Sequence, residues 1–171
     1  MPSRLTLPSR GRPQAGFAHL RSPLMSNVRA HEDHMPNVLI EVRNRYTPEQ
    51  EVALMEAVHL ALCETFGVAK GARCERLIAH ESHRFSCPVS KEKPEFYTCI
   101  TVEAFAGRSL EAKRSLYKAI VANLLPFGIP PDHVSIVLIE VPRENWGIRG
   151  GQAACDLESE PTLQSSPPHA P

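Results

Sequence analysis

Apolar residues are nearly continuous over Val38-Leu39-Ile40-Glu41-Val42 and then recur at helical spacing at Val52, Met55, Val58, Leu62 and Phe66. The first pattern predicts a short strand and the second an amphipathic helix. The helix has a written start: Thr47-Pro48-Glu49-Gln50 offers a capping hydroxyl, a proline at the first helical position and a capping-box glutamine. Gly67 supplies the stop. A second strand, about Cys74 to His80, completes a βαβ unit.

The pattern then repeats. Tyr97 to Phe105 alternates, with Cys99, Thr101 and Glu103 on the face opposite Ile100, Val102 and Ala104. Ser109 caps a predicted helix striped by Leu110, Tyr117, Ile120 and Leu124, which ends at Gly128-Ile129-Pro130-Pro131 before a strand from Val134 to Val141. Two tandem βαβ units joined by the loop at 81–96 predict an α+β fold. It is a four-stranded sheet with two helices on one face and right-handed crossovers. Helices on one side leave the other face uncovered. Apolar residues on both faces of Val134-Ser135-Ile136-Val137-Leu138-Ile139 therefore favour an oligomer.

Composition divides the chain of 171 residues into three parts. Residues 1–34 are rich in proline and arginine with no acid before Glu32, and residues 158–171 read ESEPTLQSSPPHAP. Both resemble low-complexity tails, which leaves 35–157 as the folding domain. The leader is expected to be either an extension upstream of a true start at Met35 or a targeting segment. The first places the protein in the cytoplasm and the second admits a mitochondrial destination. Lys+Arg 19 against Asp+Glu 19 gives no basic field for nucleic acid or a membrane surface. No apolar run approaches the roughly 18 residues of a bilayer span. Five scattered cysteines without a Cys-x-x-Cys pair indicate neither a disulfide framework nor a four-thiolate zinc site, and a reducing compartment is expected.

Met35-Pro36 stands directly before the first strand. Removal of an initiator methionine there would leave a proline with a free secondary amine, a group that accepts a proton as no internal proline nitrogen can. An α-amino group titrates near about 7.7–8.0, and burial beside cations lowers it toward the range of a general base. Three motifs then coincide: Pro36-Asn37-Val38-Leu39-Ile40, Gly107-Arg108-Ser109 with Lys113, and Asn145-Trp146-Gly147-Ile148-Arg149-Gly150-Gly151. With these, residues 35–157 resemble the tautomerase superfamily. Each half is similar to one short 4-oxalocrotonate tautomerase chain, and the fused length is similar to subunits of the malonate semialdehyde decarboxylase and cis-3-chloroacrylic acid dehalogenase type, which assemble as trimers.

The resemblance implies Pro36 as catalytic base, Arg108 as the group that binds a substrate carboxylate and stabilises an enolate, and Trp146 as an apolar wall. It also implies a homotrimer, no cofactor, and a small anionic 2-oxo or 2-hydroxy-enoic acid as substrate. Departures from the pattern narrow the chemistry. Ala72 and Ala106 stand where the decarboxylase resemblance would require an aspartate and a second arginine, and Phe105 stands where the dehalogenase pattern wants an arginine. A general keto-enol tautomerase is the expected activity. The alternatives are a hydratase or dehalogenase of the same superfamily, or a non-catalytic oligomer if Pro36 is not amino-terminal.

Further candidates come from position alone. Arg73 and Arg76, flanking Glu75, serve either as pocket groups or as a salt-bridged strand edge. His83 and Arg84, in a loop that could cover a pocket, are candidate substrate contacts. His80, His83 and Cys87 have zinc-ligand chemistry but no obvious fourth ligand, so no metal is expected. His59, beside the first apolar stripe, is expected to be a packed structural histidine.

Overall fold

The computed structural model describes residues 36–148 and 150–157. The predicted leader and tail, Met35 and Arg149 lie outside these residues. Strand β1 (Asn37–Val42), helix α1 (Pro48–Phe66) and strand β2 (Glu75–Ala79) form the first unit. Strand β3 (Thr98–Phe105), helix α2 (Leu110–Leu124) and strand β4 (Val134–Val141) form the second. A small hairpin, β5 (Gly147–Ile148) and β6 (Gln152–Ala153), follows.

The four main strands lie in the order β2-β1-β3-β4. Each unit contributes a parallel pair, and the units join through the antiparallel pair β1–β3, with Asn37 opposite Glu103 and Val42 opposite Thr98. Val38, Ile40 and Val42, together with Ile100 and Val102, are buried against the two helices. The predicted α+β architecture is the one found, with α1 and α2 packed together on one sheet face.

Local chemistry explains the helix ends. Thr47 Oγ1 accepts from the Gln50 N–H while the Gln50 side chain accepts from the Thr47 N–H, the reciprocal capping box. Gly67 closes α1 at φ 69°, a left-handed conformation that glycine adopts without penalty.

Three expectations are corrected. On α1 the buried residues are Leu54, Val58, His59, Ala61 and Leu62, while Val52 is 61% exposed. The helix is apolar around much of its girth, so Val58 and Leu62 fit two adjacent stripes, and packing selects the one containing Leu54. On α2, Leu116, Ile120 and Leu124 are buried and Leu110 is exposed, because the i, i+4, i+8 register that meets the core excludes the first helical residue. The α-helix also ends at Leu124 rather than at Gly128. Residues Leu125–Phe127 tighten into a 3-10 turn, since Pro126 has no N–H to continue the ladder.

His59 is buried as expected and does structural work. Its Nδ1 lies 2.7 Å from Glu75 Oε1 and its Nε2 lies 3.1 Å from the Lys70 carbonyl, tying the middle of α1 to the start of β2.

The opposite sheet face carries Ile78, Val137 and Ile139, which are exposed. It also carries Asn37, Cys99, Thr101, Glu103 and Phe105, placed there by strand alternation from the buried positions. Among the described residues no helix is long and apolar enough to cross a membrane.

Candidate active site at the Pro36 end of the sheet

Topology collects the interesting residues at one end. Because β1 runs antiparallel to β3 while β2 and β4 follow their partners, the amino ends of β1 and β2 lie beside the carboxyl ends of β3 and β4. Pro36 is buried at this end. Asn37 pairs with Glu103, so the residue before it falls level with Ala104 and next to Phe105.

The turn from β3 into α2 places Arg108. Gly107 has φ 112°, a conformation that side chains avoid, and its N–H donates to Glu140 Oε1 at 3.2 Å. Ser109 Oγ accepts from the Ala112 N–H at 3.2 Å as the helix cap. Lys113 Nζ donates to Glu140 Oε2 at 2.7 Å. The Lys113 hydrogen bond and the Gly107 N–H hold the Glu140 carboxyl below its ordinary range. Between these contacts Arg108 donates from Nη1 to the Phe105 carbonyl at 3.0 Å, and its guanidinium lies 4.3 Å over the Phe66 ring. Burial pushes Arg108 below the usual arginine range and Arg143 adds to that, while Glu140 opposes it. Its ordinary value is so high that the group stays a cation near neutrality.

The carboxyl-terminal hairpin closes over the other sheet face. A 3-10 turn at Arg143–Asn145 leads into β5, and Ala154 N–H donates to the Trp146 carbonyl at 2.9 Å. Trp146 meets the Phe105 ring edge-on at 4.9 Å, and the Arg143 guanidinium lies 4.4 Å over the same ring. Beneath the hairpin is a recess of about 340 Å³ lined by Asn37, Glu103, Val141, Asn145, Trp146 and Gly147. Asn37 Nδ2 donates to Glu103 Oε2 at 3.2 Å along one wall. Pro36 precedes the lining residue Asn37, and Arg108 stands behind Phe105.

The expected site residues are thus partly gathered. Pro36, Arg108 and Trp146 come to one end of the sheet. Arg73 shares that end but is held in ion pairs, with Glu56 and, at 3.8 Å, with Glu75. Arg76 lies exposed on β2, level with Leu39. His83 and Arg84 are not brought to these residues within the chain. They occupy a 3-10 turn after β2, at the far end of the sheet, where Arg84 Nε donates to His83 Nε2 at 3.3 Å. In the same region His80 pairs with Glu41 at 2.9 Å and the Cys87 sulfur accepts from Arg43 at 3.0 Å. Among the described residues no group of three or more His, Cys, Asp or Glu side chains is placed to hold a metal ion.

Sequence reasoning missed Arg143, Glu103, Asn37 and Asn145 as neighbours of the site. One signal was available. Once β1 and β3 are antiparallel, the residues that leave β4, Pro142-Arg143-Glu144-Asn145, must emerge beside Pro36.

Comparison with known proteins agrees with this geometry. A family model described as a tautomerase enzyme matches residues 72–149. The FG41 malonate semialdehyde decarboxylase inhibited by 3-bromopropiolate superposes with a TM-score of 0.64 at 26% identity, covering 73% of this chain and 99% of that one. A native fused 4-OT gives a TM-score of 0.64 at 18% identity over 71% of this chain and 98% of its own, a likeness of fold. The R7 fused 4-OT, solved as an asymmetric trimer, gives 0.64 at 15% identity over the same shares. No curated protein matches the chain by sequence. Family model and fold converge: residues 72–149 match the tautomerase family model, and the chain is similar to the tautomerase superfamily.

Proposed function

We propose that this chain is a cofactor-independent keto-enol tautomerase acting on a small 2-oxo or 2-hydroxy-enoic acid, with Pro36 as general base once it is the first residue. The observation that carries the reading is the placement of buried Pro36 beside a recess, with two guanidinium groups, Arg108 and Arg143, flanking Phe105 at the same sheet end. A neutral secondary amine takes a proton from the carbon next to the substrate carbonyl, and negative charge develops on the carbonyl oxygen. The cations stabilise that oxygen and the carboxylate, and the amine returns the proton to complete the isomerisation. The Trp146–Phe105 pair gives one side of the site apolar surface, which favours the neutral amine and strengthens the field of the cations.

Assembly into a homotrimer is part of the proposal. The exposed apolar residues Val137, Ile139 and Ile78 on the helix-free face support it, as does the trimeric state of fused 4-OT relatives. A second reading, hydration or decarboxylation, draws on the 26% identity to the malonate semialdehyde decarboxylase. Ala72 and Ala106, at the positions noted above, weigh against it.

Turnover of phenylenolpyruvate and 2-hydroxymuconate by protein beginning at Pro36 tests the assignment. Pro36→Ala and Arg108→Ala should each lose most of it. Unchanged turnover in Arg108→Ala would remove that residue from the anion site.

A further inference from the structure

Arg108 belongs to the second βαβ unit, but the ring beneath it belongs to the first. Its guanidinium carbon lies 4.3 Å from the ring centroid of Phe66, the last residue of α1. A second contact, from Nη1 to the Phe105 carbonyl at 3.0 Å, holds one edge of the same group. The ring itself has a fixed place. Phe66 packs against the buried core, and α1 stops directly after it, where Gly67 takes φ 69° and donates its N–H to the Leu62 carbonyl.

An arginine side chain is long and rich in rotamers, and an anion that binds it in solvent must first freeze them. A ring under the guanidinium draws the cation to its electron-rich face, so part of that ordering is complete before a ligand arrives. Neither contact of Arg108 described above is with a carboxylate, and neither cancels its charge. The Glu140 carboxylate at this turn is engaged by Lys113 Nζ at 2.7 Å and by the Gly107 N–H at 3.2 Å. Leucine at position 66 would fill similar space without offering a π face.

We propose that Phe66 is a positioning residue for Arg108: the end of the first unit's helix orients in advance the cation with which the second unit holds a carboxylate. The inference rests on the tautomerase reading for the role of Arg108, but its test does not require turnover. The Nε–H proton resonance of Arg108, identified by its loss in Arg108→Lys, senses the ring current of Phe66 and is followed while the protein is titrated with phenylpyruvate, a 2-oxo acid. In the unaltered protein this resonance should lie upfield of those of exposed arginines such as Arg114. In Phe66→Leu it should move into their range, and Kd should rise about 3- to 10-fold, the span expected from ordering one long side chain on binding. Phe66→Tyr keeps a ring and should hold Kd within about twofold of the unaltered protein. Phe66→Met serves the same comparison if the leucine variant does not fold. An unshifted resonance in the unaltered protein, an unchanged Kd in a folded Phe66→Leu or Phe66→Met protein, or an equal loss in Phe66→Tyr would overturn the proposal. Absence of binding by the unaltered protein would remove the role assigned to Arg108 and the proposal with it. Binding that depends on Phe66 without turnover of phenylenolpyruvate would count against Pro36 as base and leave the role of Phe66 standing. Turnover with a Kd indifferent to Phe66 would do the reverse.

Discussion

The Arg143 guanidinium lies 4.4 Å over the ring of Phe105, the residue that stands where a dehalogenase-like pattern would place an arginine. A cation thus lies over that place from the turn after β4, through stacking on the aromatic side chain. Arg143→Ala should therefore lower kcat/KM for a carboxylate substrate by about 10- to 100-fold, the range set by losing a charge-assisted hydrogen bond. Arg143→Lys should recover only part of this, since lysine lacks the planar fork and stacks less well on Phe105. Steady-state kinetics of the two variants checks both statements.

The Glu140 carboxylate anchors the turn that carries Arg108, and its pH dependence has a definite sign. Its folded-state pKa is lowered from 4.5 by Lys113 and by the Gly107 N–H. The stabilisation is fully present above about pH 4.5 and is lost as pH falls through the lower folded-state value. Melting temperature measured from pH 7 downward should fall less steeply in Glu140→Gln below about pH 4.5, from a lower starting value at neutrality. Parallel curves would contradict the anchoring role.

His59 and Glu75 form a buried pair, with side chains 1% and 5% exposed. Removing one partner leaves a polar or charged group without compensation, so His59→Ala or Glu75→Ala should cost about 3–5 kcal/mol in denaturant unfolding. Glu56→Ala, which breaks the solvent-exposed contact to Arg73, should cost under about 1 kcal/mol.

The two possible stripes on α1 separate in the same experiment. Leu54→Ala removes a fully buried side chain and should cost about 2–5 kcal/mol. Val52→Ala, on the exposed side, should stay within about 0.5 kcal/mol of the parent protein.

The repeat, the capping box at Thr47 and the Gly107-Arg108-Ser109 turn were legible in the sequence because each depends on residues close together in the chain. The helix stripes were half legible: α1 is apolar on more than one side, and only the sheet beneath it decides that Leu54 and not Val52 goes in. Pro36, Arg108 and Trp146 could be picked out by type and motif. The neighbours Glu103 and Arg143 could not, because their proximity to Pro36 follows from the antiparallel β1–β3 pairing, a relation between distant segments. The same pairing explains why His83 and Arg84, chosen for their chemistry, stand at the other end of the sheet in this chain.

The chemistry assigned to Pro36 requires its nitrogen to be an amine and not an amide. Intact-mass and amino-terminal sequencing of the fraction that turns over phenylenolpyruvate measures this directly. Active material should begin at Pro36, and activity should track the fraction of chains so processed. Active material in which Pro36 is still joined to Met35 would contradict it.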